Sequence, residues 1–161
     1  MSLQSDVNEL VRKLNKVANN AKRESQAAFR EGAKPLVEAI KAGAPVSDDE
    51  HYRYKGGRIF ATYKPGNLKR SFRTLTFRRS AAVFVGPKLD KGGSGGVFSG
   101  NRTDAYYAHM VEFGTINQAP QPFVRPAAAS TGPVALRIAT QALKRKIDAY
   151  ANRLAAGKQK Q

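Results

Sequence analysis

The stretch Asp104-Ala-Tyr-Tyr-Ala-His-Met-Val-Glu-Phe-Gly-Thr115, followed by Gln121-Pro-Phe-Val-Arg-Pro-Ala127, decides how the middle of this chain is read. Asp104 to Gly114 has the pattern of a short helix: Asp104 can cap it, Gly114 stands near its end, and the apolar residues Tyr107, Met110, Val111 and Phe113 have the spacing of one. Glu112 closes this apolar segment, and a carboxylate carried into the interior must find a partner. Arg125, set between Phe123-Val124 and Pro126, is the natural one, because a guanidinium fork matches a carboxylate; the alternative leaves both facing solvent. Phe113-Gly114 can turn the chain where a side chain would clash, and Pro122 and Pro126 fix the backbone on either side of Phe123. Such a segment serves equally as a rigid interface element or as core packing.

Towards the N-terminus, Val7, Leu10, Val11, Leu14, Val17, Ala18 and Ala21 recur at helical spacing, and the stripe continues through Ala28, Phe29, Ala33, Leu36, Val37 and Ile40. A helical region over 5–42 follows, kinked or briefly broken at Gly32–Pro35, with a fold-back into a helical hairpin as the alternative. Unbroken, it would be about 55 Å long, so part of it is expected to project or to pack on another subunit. Gly43 and Ala44-Pro45 end it.

The segment 47–57 reads as a polar loop that turns at Gly56-Gly57 into a short strand over 58–63. Residues 73–79 and 82–85 read as an antiparallel hairpin joined by Ser80-Ala81, within a β-hairpin region spanning 58–88. Residues 89–102, rich in glycine and serine, read as a flexible loop, without the lysine and Ser/Thr of a phosphate-binding loop. A last helix is expected over 133–156, with Pro133 in its first turn and Val134, Ile138, Ala142, Ile147, Tyr150, Ala151 and Leu154 as its buried stripe. The expected architecture is thus a single α+β domain over 1–161: a long N-terminal helix, a small antiparallel sheet, a short helix over 104–114 and a C-terminal helix.

Charge is the outlying property. The 161 residues carry 28 basic and 12 acidic side chains, a formal charge of +16, which favours a polyanion or an acidic protein partner. Residues 48–91 carry 11 basic and 4 acidic side chains and residues 126–161 carry 7 and 1, whereas 92–125 are balanced. Lys69, Arg70, Arg73, Arg78 and Arg79 flank or lie on the expected hairpin and could face DNA or an acidic partner, with Tyr52, Tyr54, Tyr63, Tyr106 and Tyr107 interleaved. The absence of cysteine removes disulfides, thiolate metal sites and cysteine nucleophiles. His51 and His109 have no zinc-motif spacing, and Asp48, Asp49 and Glu50 lack the pattern of a calcium loop, so no metal, cofactor or catalytic set is expected. No window is long and apolar enough for a membrane span, and residues 1–6 lack a secretory leader, so no membrane partner is expected.

The two central motifs resemble the signature of the small head-tail joining, or tail-completion, proteins of long-tailed bacteriophages. A second match is split: Ala44-Pro45-Val46 and Gly66-Asn-Leu-Lys-Arg-Ser-Phe72 resemble a run that the family commonly carries just after its first helix, here interrupted by residues 47–65. The order of elements resembles the family over about residues 5–156. What the resemblance implies is a non-enzymatic virion component, made in the host cytoplasm. It would assemble as a homo-oligomeric ring at the neck, contact other neck, connector and tail proteins, and surround the route of passing DNA. Glu112, Phe113, Gly114, Thr115, Pro122, Phe123, Arg125 and Pro126 would then form its interface or structural motif. The alternative reading is a basic, non-sequence-specific nucleic-acid-binding module.

Overall fold

The structure, a computed structural model, describes residues 3–77, 80–88 and 105–158; for residues 3–7, 9, 10, 13, 14, 55, 60 and 154–158 it describes the backbone alone. Helix α1 spans Leu3–Gly32 and α2 spans Lys34–Gly43. Between them Ala33 keeps near-helical angles, its amide reaching Phe29 O at 2.9 Å and its carbonyl accepting from Val37 N at 3.0 Å. Pro35, which has no amide to donate, costs one rung of the ladder and the helix bends. The region is therefore one bent helix, and the fold-back hairpin is excluded. Ala44 is extended, as a residue before proline must be, and ends α2.

Helix α5 spans Val124–Lys158, nine residues earlier than the start expected at Pro133, which lies inside the helix. Its N-terminal turn is capped from elsewhere in the fold, as described below, and Pro126 is the proline of that first turn. Near the interior proline, the Ser130 and Thr131 hydroxyls donate to Ala127 O. α5 packs antiparallel on α1: a side chain on Gly32 would meet Ala139 Cβ at 2.5 Å and Ala135 O at 2.6 Å, so the two backbones touch where only hydrogen fits. Ala28, Ala139 and Ala142 are buried along this seam. Of the stripe expected on α5, Ala142 is buried and Ile138 and Tyr150 are half-buried, whereas Val134, Ile147 and Ala151 are exposed. Helices approach most closely over small residues, and the alanines, not the larger apolar residues, set the contact. Glu24 pairs with Lys146 and Arg153, and Glu31 with Arg145, along the edge of the seam. The cover for residues 24–32 of α1 thus comes from its own chain, whereas Val11 and Val17 remain about half exposed.

The strands among the described residues form two separate antiparallel pairs. β1 (His51–Lys55) pairs with β2 (Arg58–Tyr63) across Gly56-Gly57, both at positive φ, in the left-handed conformation that a tight hairpin turn requires. β1 lies in the segment read as a loop; the side chains of residues 51–54 are exposed on both faces, so no apolar alternation announces it. After the one-turn helix α3 (Asn67–Ser71), β3 (Phe72–Thr76) pairs with β4 (Val83–Pro87), with Phe72 opposite Pro87 and Thr76 opposite Val83. The region 58–88 is therefore not one sheet. Helix α4 is Ala108–Phe113, shorter than the expected 104–114, and Asp104 and the glycine-rich segment 89–102 lie outside the described residues. Ile40, Leu68, Phe72, Ala105, Ala108, Phe123 and Ala127 form the core where α2, α3, β3, α4 and the start of α5 meet. Phe72 and Phe123 pack edge to face within it, 5.4 Å between ring centres.

Candidate functional site

Helix α5 begins with amides that its own turns cannot satisfy. Glu112, at the end of α4 and only 3% exposed, answers them: its Oε2 accepts from Phe123 N at 2.7 Å and Val124 N at 2.9 Å, and its Oε1 from Arg125 N at 3.1 Å. Pro126 has no amide, and Ala127 N returns to Phe123 O at 3.4 Å, so the account of free donors closes. Arg125 Nε adds a fourth bond to Oε1 at 3.1 Å, the contact that the sequence suggested. The three amides were not foreseen, although a proline in the first turn beside a buried acid is the signal of such a cap. Burial pushes the Glu112 carboxyl up, but the amides of Val124, Phe123 and Arg125, together with the Arg125 side chain, outweigh it and hold the acid below its ordinary range. The positive end of a 35-residue helix thus meets a fixed negative charge.

From this clamp the chain makes a tight excursion. Gly114 sits at φ 78° and ψ 177°, and a Cβ there would lie 2.8 Å from Pro120 N and 2.9 Å from Gln118 O. Thr115 and Gln118 exchange two backbone hydrogen bonds, Gln121 N returns to Val111 O at 2.8 Å, and Asn117 N donates to Thr115 Oγ1. The loop is tied at both ends, and it carries Ile116 at its tip, 99% exposed. Phe113 is 65% exposed, with the Arg125 guanidinium 4.9 Å from its ring centre. Phe123 is buried as the anchor, while Thr115, Pro122 and Pro126 lie at the surface. Beside the clamp opens an apolar cavity of about 370 Å³ whose walls include Phe72, Val85, Pro87, Ala105 and Ala108.

The structure does not bring the other singled-out residues to this place. Lys69, Arg70 and Arg73 are exposed on α3 and β3, and Arg78 and Arg79 lie outside the described residues. Of the interleaving tyrosines, Tyr63, Tyr106 and Tyr107 pack on one another with ring centres 5.5–5.9 Å apart, and the Tyr107 hydroxyl accepts from Asn67 Nδ2. They are packing residues, not a base-stacking platform; Tyr52 and Tyr54 are exposed, and the Tyr52 hydroxyl donates to Glu50. Among the described residues no group of three metal-ligating side chains gathers, and no helix is long and apolar enough to cross a membrane.

A family model described as "Bacteriophage HK97-gp10, putative tail-component" matches residues 8–114, from α1 to the glycine that follows Glu112 and Phe113. No curated protein and no solved structure matches the chain.

Proposed function

Since the chain belongs to the HK97-gp10-like family, which that description assigns to the phage tail, and is thus a structural protein of a bacteriophage, we propose that it forms a homo-oligomeric ring at the head-tail interface, around the DNA conduit. It works there by shape and interface burial, without catalysis. The observation that carries this reading is Ile116: a branched apolar side chain held fully in solvent at the tip of a loop tied down by Glu112 and Gly114. Rigid apolar tips are what interfaces bury, and a pre-organised one sacrifices little entropy on docking. In a closed ring every subunit offers two different surfaces, and the Ile116 tip and the apolar cavity beside the clamp, which Phe113 helps to line, are suited to be such a pair. The half-exposed Val11 and Val17 on α1 are a further apolar face for a neighbouring copy. The partners outside the ring are other neck, connector and tail proteins.

Native mass measurement with end-view electron microscopy tests the reading. We expect a ring for the wild type and folded single subunits for Ile116→Asp. A wild type that stays a single subunit at high concentration, or infectious particles of normal yield made without the protein, would refute it.

A further inference from the structure

α1 has a second periodicity, opposite to its buried seam. Arg12, Lys16, Arg23 and Arg30 follow one another at intervals of four, seven and seven residues. At 3.6 residues per turn they stay within about 40° of one another, roughly 160° around the helix from Ala28 and Gly32. All four are exposed, and so are Asn15 and Asn19 between them; Gln26, on the same side between Arg23 and Arg30, is half-buried and donates to Phe77 O and Ser80 O, so the β3–β4 connection borders that end of the face. The track runs for about 27 Å. The described carboxylates of α1 do not neutralise it: Glu24 and Glu31 point to α5, where Lys146, Arg153 and Arg145 hold them. Arg12, Lys16 and Arg23 make no ion pair with a described carboxylate, and Arg30 donates to Thr76 Oγ1 at 3.2 Å.

We infer that this outer face of α1 is a contact surface for the phosphate backbone of duplex DNA, read without sequence preference. Its composition favours DNA over an acidic protein: the cores of protein interfaces are enriched in aromatic residues, methionine and arginine and depleted in lysine, and of the enriched types this track holds arginine alone, beside a lysine and amides. Phosphate contacts are made by this set, arginine and lysine for charge and asparagine for hydrogen bonds. A straight row of one sign over several phosphate repeats suits a continuous polyanion. The inference rests on the proposed ring only for where DNA is met, because binding is measured on free DNA.

Anisotropy of a labelled short duplex, titrated with the full chain over a salt series, is the test. Four phosphate contacts predict that log K falls against log salt with a slope of about −3.6 or steeper. Replacing all four by glutamine flattens the slope by about 3.6, and Arg23→Gln with Arg30→Gln flattens it by about 1.8. The triple variant Lys69→Gln, Arg70→Gln, Arg73→Gln leaves it unchanged. Native mass of the same samples separates this from the ring: an intact ring without DNA binding sinks the inference and spares the ring. No binding at low salt, an unaltered slope in the quadruple variant, or stronger competition by polyglutamate than by unlabelled duplex of equal charge would each overturn the inference.

Discussion

Glu112→Gln keeps the shape of the side chain and removes its charge, and so isolates the cap from the packing around it. The carboxylate accepts three main-chain amides at 2.7, 2.9 and 3.1 Å and Arg125 Nε at 3.1 Å. Taken singly, hydrogen bonds to a charged group are worth about 1.5–3 kcal/mol. Glutamine retains one acceptor oxygen and turns an NH2 towards amides that are themselves donors, leaving at least one amide at the helix start unpaired. Such bonds do not add, and we expect a net loss of about 3 kcal/mol, a fall in Tm of roughly 6–12 °C for a chain of this size. Arg125→Ala, by contrast, removes one bond from a side chain that is 63% exposed, at a cost of about 0.5–1 kcal/mol. Urea unfolding followed by circular dichroism, at one fixed protein concentration, compares the variants. Acid supplies the second check. The folded pKa of Glu112 is lowered, because the amides and Arg125 outweigh burial, so its stabilisation is fully present above the unfolded carboxyl range and is lost as pH falls through the folded value. Wild type and Glu112→Gln therefore converge in acid. A variant that costs no more than Arg125→Ala at neutral pH, or a gap that persists in acid, would refute the capping argument.

Other substitutions read the remaining contacts. Gly114→Ala forces a Cβ to within 2.9 Å of Pro120 N and Gln118 O at a φ that L residues rarely adopt, and should cost about 1–3 kcal/mol in urea unfolding. Gly32→Ala sets helix propensity, worth about 1 kcal/mol in favour of alanine, against a contact of 2.5 Å with Ala139 Cβ; we expect sterics to win, with a lower urea midpoint. Phe123→Ala empties the edge-to-face pair with Phe72 and should lose about 3–5 kcal/mol, measured the same way. Pro133→Ala restores a donor inside α5 and should raise the midpoint, since interior proline is the least favourable helix residue.

The candidate site was half legible. Glu112 and Arg125 could be paired from chemistry alone, because an acid at the end of an apolar helix needs a cation or donors, and the contact is present at 3.1 Å. That Glu112 also holds three amides depends on where α5 starts, and its first-turn proline is Pro126, which the sequence reading takes only as a backbone brace beside Phe123. The local pattern favoured Pro133; the acid delivered from eleven residues before Phe123 moved the start to Val124. Ile116 carries no signal in the sequence, since one apolar residue in a turn is ordinary until its exposure is known.

By itself the sequence determined what depends on neighbours along the chain: the bent helix α1–α2 from its apolar repeat and Pro35, the β3–β4 hairpin from its branched residues, the turns at Gly56-Gly57 and Gly114, and the basic balance. Each follows from backbone preference or residue spacing within a few turns. Only the tertiary structure decided which face of α5 meets α1, that 51–55 pairs with 58–63, and that Glu112 caps a helix outside its own. Those outcomes depend on how closely two backbones approach and on which distant donor is left without a partner, and spacing along the chain encodes neither.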